Sequence, residues 1–157
     1  MTDEHMRLRR LAQVWIDHPL YFITTCLKNR RRLLADRRTA GILVREWKLT
    51  GESYGWHVGS YVIMPDHVHF FCSNDLEAKP LSTFVGKWKE RTSKKVGTKF
   101  PHRSMKWQRG FFDHVLRSSE SYSEKWDYVR NNPVRADLVE SPEDWPYWGV
   151  IDDLSFG

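Results

Sequence analysis

Two histidines separated by one residue, His67-Val68-His69, have the type and spacing to do chemistry together. On a β-strand, side chains two apart point to the same face. His67 and His69 therefore project together, while Val68 and Phe70 point the other way. Two neutral imidazoles held side by side can ligate one divalent metal. The plain alternative is a pair of half-exposed histidines with no ligand. The flanks, Tyr61 to Ile63 and Phe70 to Cys72, are strongly apolar and argue for an ordered hairpin. Rigid elements hold a site more accurately than loops do. A hard ion such as Mg²⁺ or Mn²⁺ wants oxygen ligands and open positions, so a further protein oxygen donor is expected elsewhere in the chain.

Tyr128 and Asn132 lie four residues apart at the end of a helical segment and share one of its faces. That face is turned away from the apolar stripe Tyr122, Trp126 and Val129. A phenol can attack phosphorus as a covalent nucleophile, provided something activates it. The Asn132 side chain offers a carbonyl oxygen suited to a hard cation. A packed, half-buried tyrosine and a C-capping asparagine are the plain alternatives for these two positions.

The elements that would position these residues follow from pattern. Leu20 to Leu27 is rich in β-branched and aromatic residues and reads as a buried strand, followed by the basic turn Lys28 to Arg32. Ala40, Leu43, Val44 and Trp47 recur at helical spacing, which predicts a helix from Asp36 to about Gly51. Trp56 to Ile63 alternates as a strand, Met64-Pro65-Asp66 makes a tight turn, and His67 to Cys72 returns as the second arm of a hairpin. Pro80 to about Val96 is helical, with Leu81, Phe84, Val85 and Trp88 on one face. Trp107 to Leu116 supplies a further strand. Ser121 and Glu124 form a capping box that opens the tyrosine helix, which must end near Asn131-Asn132 because Pro133 follows. The order strand, helix, strand, strand, helix, strand, helix predicts an α+β fold. It is a ferredoxin-like split βαβ antiparallel sheet with an appended C-terminal helix carrying the tyrosine.

The 157 residues fit one domain. Residues 1–19 read as a flexible basic lead-in, and 134–157 as a Pro- and Trp-rich tail packed on the domain. A hydrophobic share of 40% with eight Trp excludes a disordered chain. No stretch approaches a membrane span. Cys26 and Cys72 lack CxxC spacing and read as buried thiols of a reducing compartment, so a cytoplasmic protein is expected.

The net charge of +5 suits a polyanionic partner. Its densest source lies between Lys87 and Arg109, where nine Lys/Arg face a single acid, Glu90. Lys87, Lys89, Arg91, Lys94, Lys95, Arg103, Lys106 and Arg109 can track phosphates, and Trp107 can stack on an unpaired base. A solvated helix face with inward aromatics is the alternative, and it is favoured for Trp88. Arg7, Arg9 and Arg10, with the Lys28 to Arg32 turn, are further candidates to contact a nucleic acid. Asp113 and His114 are possible accessory residues that could orient metal, water or DNA, or could simply fix the last strand.

Taken together, YVIMPDHVHFF, WQRGFFDHVLR and YVRNNPVRADLV occur in order and resemble the REP-associated tyrosine transposases, small members of the single-tyrosine HUH nuclease superfamily. The match runs from about Tyr21 to Trp148. The resemblance implies a ferredoxin-like fold, Tyr128 as nucleophile, and metal ligation by His67, His69 and Asn132, with Mg²⁺ or Mn²⁺ as the ion. It implies cleavage and rejoining of single-stranded DNA at palindromic hairpins through a 5′-phosphotyrosine, by a monomer or a homodimer. A non-cleaving hairpin-binding regulator of the same fold is the alternative. A metal-dependent RNA phosphodiesterase without a covalent step is a further one. Asp137 departs from the family, which usually has Gly there, so a local turn difference without loss of activity is expected.

Overall fold

The computed structural model describes residues 13–16 and 19–156. In chain order the strands and helices are β1 (Gln13–Ile16), β2 (Leu20–Cys26), α1 (Arg37–Tyr54), β3 (Trp56–Ile63), β4 (His67–Asn74), α2 (Leu81–Lys99), β5 (Phe112–Leu116), α3 (Ser119–Arg130), α4 (Asn132–Arg135), β6 (Trp148–Val150) and β7 (Asp153–Phe156). Strands pair in the order β5-β2-β4-β3-β6, antiparallel throughout. This is the expected α+β sheet, with α3 as the appended helix that carries Tyr128.

The two sheet faces are covered differently. On one face, Ile23, Val68, Phe70 and Cys72 meet α1 and α2. There Trp47 and Trp88 stack 4.9 Å apart, and the Trp88 indole N–H donates to the Leu43 carbonyl at 3.1 Å. Trp88 is thus core, as its helical spacing predicted. On the other face, Leu20, Phe22, Phe71 and Leu116 are covered by Val129, Tyr122 and Trp126 of α3 and by Trp145 and Leu154 of the tail.

Local chemistry explains most element ends. Asp36 is the cap of α1, not its first residue: its carboxylate accepts from the backbone N–H of Arg38 and Thr39. α1 continues past the expected stop at Gly51 to Gly55, whose φ of 80° ends it. Gly51 lies inside the helix, where only glycine fits, since a Cβ would sit 2.4 Å from the Trp56 carbonyl oxygen. The cap of α3 is Ser118, which accepts from the Ser121 N–H, so the expected Ser121/Glu124 box lies one turn inside the helix. The last strand begins at Phe112, and Trp107 makes only an isolated bridge to Leu27.

Two expectations concern the termini. Gln13–Ile16 falls inside the segment read as a flexible lead-in, yet it pairs in parallel with Asp153–Phe156 at the far end of the chain. Arg7, Arg9 and Arg10 lie outside the described residues. Cys26 also departs from expectation. It is half-buried, whereas Cys72 is fully buried, and both are free thiols.

Asp137 occupies a left-handed position, with φ of 58°. α4 ends in a Schellman motif, in which Asp137 N–H donates to Val134 and Leu138 N–H to Pro133. The motif requires a left-handed residue, and here an aspartate bears the strain that a glycine would not. Asp137→Gly is expected to stabilise the protein by about 1 kcal/mol. An unchanged or lowered urea midpoint would contradict that assignment.

Candidate active site

β4 carries His67 and His69 on one face, opposite Cys26 and Thr24 of β2. The two rings lie 4.8 Å apart, edge to face. Each has its Nδ1 engaged. Nδ1 of His67 is 2.7 Å from Asp66 Oδ1. A carboxylate only accepts, so that nitrogen must carry the proton. Arg30, 3.5 Å from the same nitrogen, is then a neighbour and not a donor to it. Arg30 instead donates to Asp66 Oδ2 at 2.8 Å. His69 Nδ1 is 2.8 Å from the Thr24 hydroxyl, and its Nε2 is 2.7 Å from the side-chain N–H of Asn132. An amide N–H donates, so Nε2 accepts and Nδ1–H donates to Thr24. Both histidines thus keep their protons on Nδ1, which leaves the Nε2 lone pair of His67 without a hydrogen bond among the described residues and that of His69 facing Asn132.

Burial holds both rings neutral. It pushes His69 down to about 3, helped by the positive charges of Lys125 and Arg135. Burial also lowers His67, against the opposing pull of Asp66. Asp66 itself is raised by burial, but its bonds to His67 and Arg30 outweigh this and hold it below the usual carboxylate range.

This has a consequence for acid stability in the metal-free protein. The unfolded chain protonates a histidine near pH 6.5, the folded chain only near 3. Between those values the unfolded state binds more protons. The stabilisation is complete above about pH 6.5 and is lost as pH falls, by about 1.4 kcal/mol per unit. In chelator, going from about pH 7.5 to about pH 5 is expected to cost about 2 kcal/mol in urea unfolding, and His69→Gln should flatten that slope. A wild-type midpoint that stays level over this range would refute the burial argument.

The tyrosine helix closes the other side. Tyr122 and Trp126 pack on Phe71 and Val129 is buried, whereas Tyr128 is 60% exposed. Asn131 ends α3, and Asn132 opens α4 with Pro133 inside its first turn. Arg135 joins the two candidate residues. It donates to Asn132 Oδ1 at 2.6 Å, and its guanidinium lies 3.7 Å from the Tyr128 ring centre. The Lys125 ammonium lies 4.8 Å from the Phe22 ring and 6.0 Å from that of Tyr128. His69, Asn132, Arg135 and Tyr128 form one contact chain within a single polypeptide.

Thr24, Asp66 and Arg135 are site residues that sequence pattern does not name as such, Asp66 reading there only as a turn residue, while Arg30 belongs to the basic turn named as a candidate nucleic-acid contact. Arg135 carried a usable signal, three residues after Asn132 and so on the same helical side. Thr24 needed the β2–β4 register. Of the accessory pair, His114 pairs with Phe22 and shares the histidines' face, while Asp113 pairs with Ile23 and faces the other way.

The basic stretch lies on α2 and the segment after it, in the helical layer behind the sheet. Much of it is engaged internally. Arg91 and Lys95 approach the buried Glu46 at 3.6 and 2.8 Å. Arg103 donates to Asp36 and Thr39, Lys87 to Glu90, and Lys89 to the carbonyls of Gln108 and Gly110. Trp107 packs 4.9 Å from Trp88 and donates to Thr92, which holds it half-buried at the edge of that layer, where it also lines a groove. Lys94, Lys106 and Arg109 are exposed. Among the described residues no three His, Cys, Asp or Glu cluster as a metal site, and no helix is long and apolar enough to cross a membrane.

Comparison with known proteins agrees with this layout. A Haemophilus influenzae protein provisionally described as a REP-associated tyrosine transposase is 28% identical over 149 residues, covering 86% of this chain and 81% of that protein. The fold resembles that of a REP-associated tyrosine transposase solved bound to a REP hairpin, with a TM-score of 0.71 at 23% identity over 87% of this chain and 79% of that one. A Deinococcus radiodurans protein provisionally described as a transposase superposes with a TM-score of 0.57 at 18% identity, over 76% of this chain and 94% of that one. The family model for IS200-like transposases matches residues 18–132, from just before β2 through both histidines to Asn132. The chain belongs to the IS200-like transposase family.

Proposed function

We propose that this transposase is a metal-dependent single-strand DNA endonuclease and strand transferase that acts at palindromic hairpins through a 5′-phosphotyrosine. The observation that carries this reading is the 2.7 Å contact of Asn132 with His69. It brings a side-chain amide, and through Arg135 an exposed tyrosine, against two neutral histidines. The similar transposase with a REP hairpin as ligand is the reason for proposing hairpin DNA as substrate.

The donor set fits a divalent ion such as Mg²⁺ or Mn²⁺. His67 and His69 would offer Nε2, and Asn132 its side-chain oxygen once the amide turns it toward them. Asp66 and Thr24 fix the two tautomers from behind, as outer partners do for metal-bound histidines. When bound, the ion would draw charge from the scissile phosphate. Tyr128 oxygen would form the new bond to phosphorus, its proton passing to water, while the bond to the 3′ oxygen breaks and that oxygen takes a proton from water to leave as a hydroxyl. Arg135 would hold the ring and offset developing negative charge. The hydroxyl can later attack the phosphotyrosine or another such bond in reverse, so no nucleotide cofactor enters.

The test is incubation of labelled hairpin DNA carrying single-stranded flanks with the full chain and Mn²⁺, followed by a denaturing gel. A covalent band is expected. Binding without a band would favour the non-cleaving regulator, and cleavage without a band would favour a phosphodiesterase.

A further inference from the structure

We infer that a pocket built by the basic turn after β2, at the end of the strand that pairs with His67, binds a backbone phosphate of the DNA strand. This rests on the proposed DNA reaction for its ligand, but not on cleavage. The pocket has a volume of about 220 Å³ and is lined by Leu27, Lys28, Asn29, Arg31, Ser104 and Lys106, with Leu33 completing its floor. No acidic residue lines it. Among the described residues, Lys28, Arg31 and Lys106 form no ion pair, in contrast to Arg91, Lys95 and Arg103.

Its walls are stitched together from two segments. Lys28 N–H donates to the Lys106 carbonyl and Gln108 N–H to the Cys26 carbonyl, both at 2.8 Å. The Arg31 guanidinium donates to the Ser104 carbonyl at 3.0 Å, which holds its remaining donors at the pocket. Asn29 and Arg30 are both in left-handed backbone conformation, with φ of 61° and 51°. That reversal sends successive side chains in different directions. Lys28, Asn29 and Arg31 line the pocket, while Arg30 leaves it to bond Asp66, the partner of His67. Leu27 N–H donates to the Asp66 carbonyl at 2.9 Å, so the pocket and the histidine strand share one junction.

The chemistry selects the ligand class. Three cations with an amide and a hydroxyl, and no acid, recognise an anion with several acceptor oxygens. The leucine floor suits the face of a sugar. The volume falls below the about 300–1,000 Å³ of pockets that enclose whole small molecules, which fits one linkage of a strand passing by. Lys106 also lines the larger groove along α2, together with Lys94 and Arg109. A strand leaving the pocket would therefore meet further exposed cations.

The test is equilibrium binding of a single-stranded oligonucleotide at several salt concentrations, with the full chain and no added metal. Each phosphate contact to a single strand contributes about 0.7 to the slope of log affinity against log salt. Lys28→Gln/Lys106→Gln, which removes one phosphate contact, is expected to lower that slope by about 0.7, and Lys48→Gln/Lys79→Gln, on other surfaces, by much less. A scan with one neutral methylphosphonate linkage at a time should weaken wild-type binding at one or two linkages, and the pocket variant should be insensitive there. An unchanged slope, an equal loss in both double variants, or a scan profile identical to wild type would overturn the proposal. The adduct assay is scored separately on the same proteins at saturating DNA. An adduct with no slope change removes the pocket alone, and a slope change with no adduct from any protein removes the cleavage reading and leaves the pocket.

Discussion

Tyr128→Phe is expected to abolish the covalent protein–DNA band and to lower strand cleavage by on the order of 10⁴-fold or more, while hairpin affinity stays within about twofold. The substitution removes one oxygen from a side chain that is 60% exposed, so no core contact is lost. The phenyl ring can still lie under the Arg135 guanidinium, now 3.7 Å from the ring centre, which preserves the arrangement of Asn132. The loss therefore reports on the nucleophile and not on the fold. A band that persists in Tyr128→Phe would sink the assignment, and the next exposed hydroxyls would have to be tested. A large drop in affinity would mean that the phenol itself grips DNA.

His67→Ala has the second largest expected effect, a loss of cleavage exceeding on the order of 100-fold, because even the partners behind a metal ligand are worth 10–100-fold. His67 opens β4, and its side-chain hydrogen bond, to Asp66, falls on Nδ1. Removing it takes away one Nε2 lone pair and leaves Asp66 still bonded to Arg30. The cations of the pocket beside the turn remain, so DNA affinity in the absence of metal should hardly change. The expected signature is a split: weakened Mn²⁺ binding by calorimetry and lost adduct, with an unaltered binding isotherm for hairpin DNA. If affinity falls in parallel with cleavage, the division between histidines and basic surface is wrong.

The parts of this molecule written in local periodicity were legible from sequence, and those written in long-range register were not. The shared face of His67 and His69 follows from a period of two, and the exposed side of Tyr128 from a period of 3.6. Trp88 could be assigned to the core because Leu81, Phe84 and Val85 repeat with it. Trp107 could not be placed, since it lies outside any periodic segment and its partner Thr92 belongs to the preceding helix. Counting charges between Lys87 and Arg109 gave the sign of the surface but not its availability. Glu46 and Asp36, which engage Arg91, Lys95 and Arg103, sit on or next to another helix. Thr24 became a site residue only once β2 was set against β4. The pairing of Gln13–Ile16 with Asp153–Phe156 joins the two ends of the chain, where no local pattern could announce it.

The 2.7 Å contact between Asn132 and His69 joins residues of one polypeptide. A contact made within one chain holds its two halves at an effective concentration set by the fold, which dilution does not change. Turnover per mole of protein should then be independent of protein concentration, and a catalytically dead copy mixed in excess should compete for DNA without poisoning the centre of its neighbour.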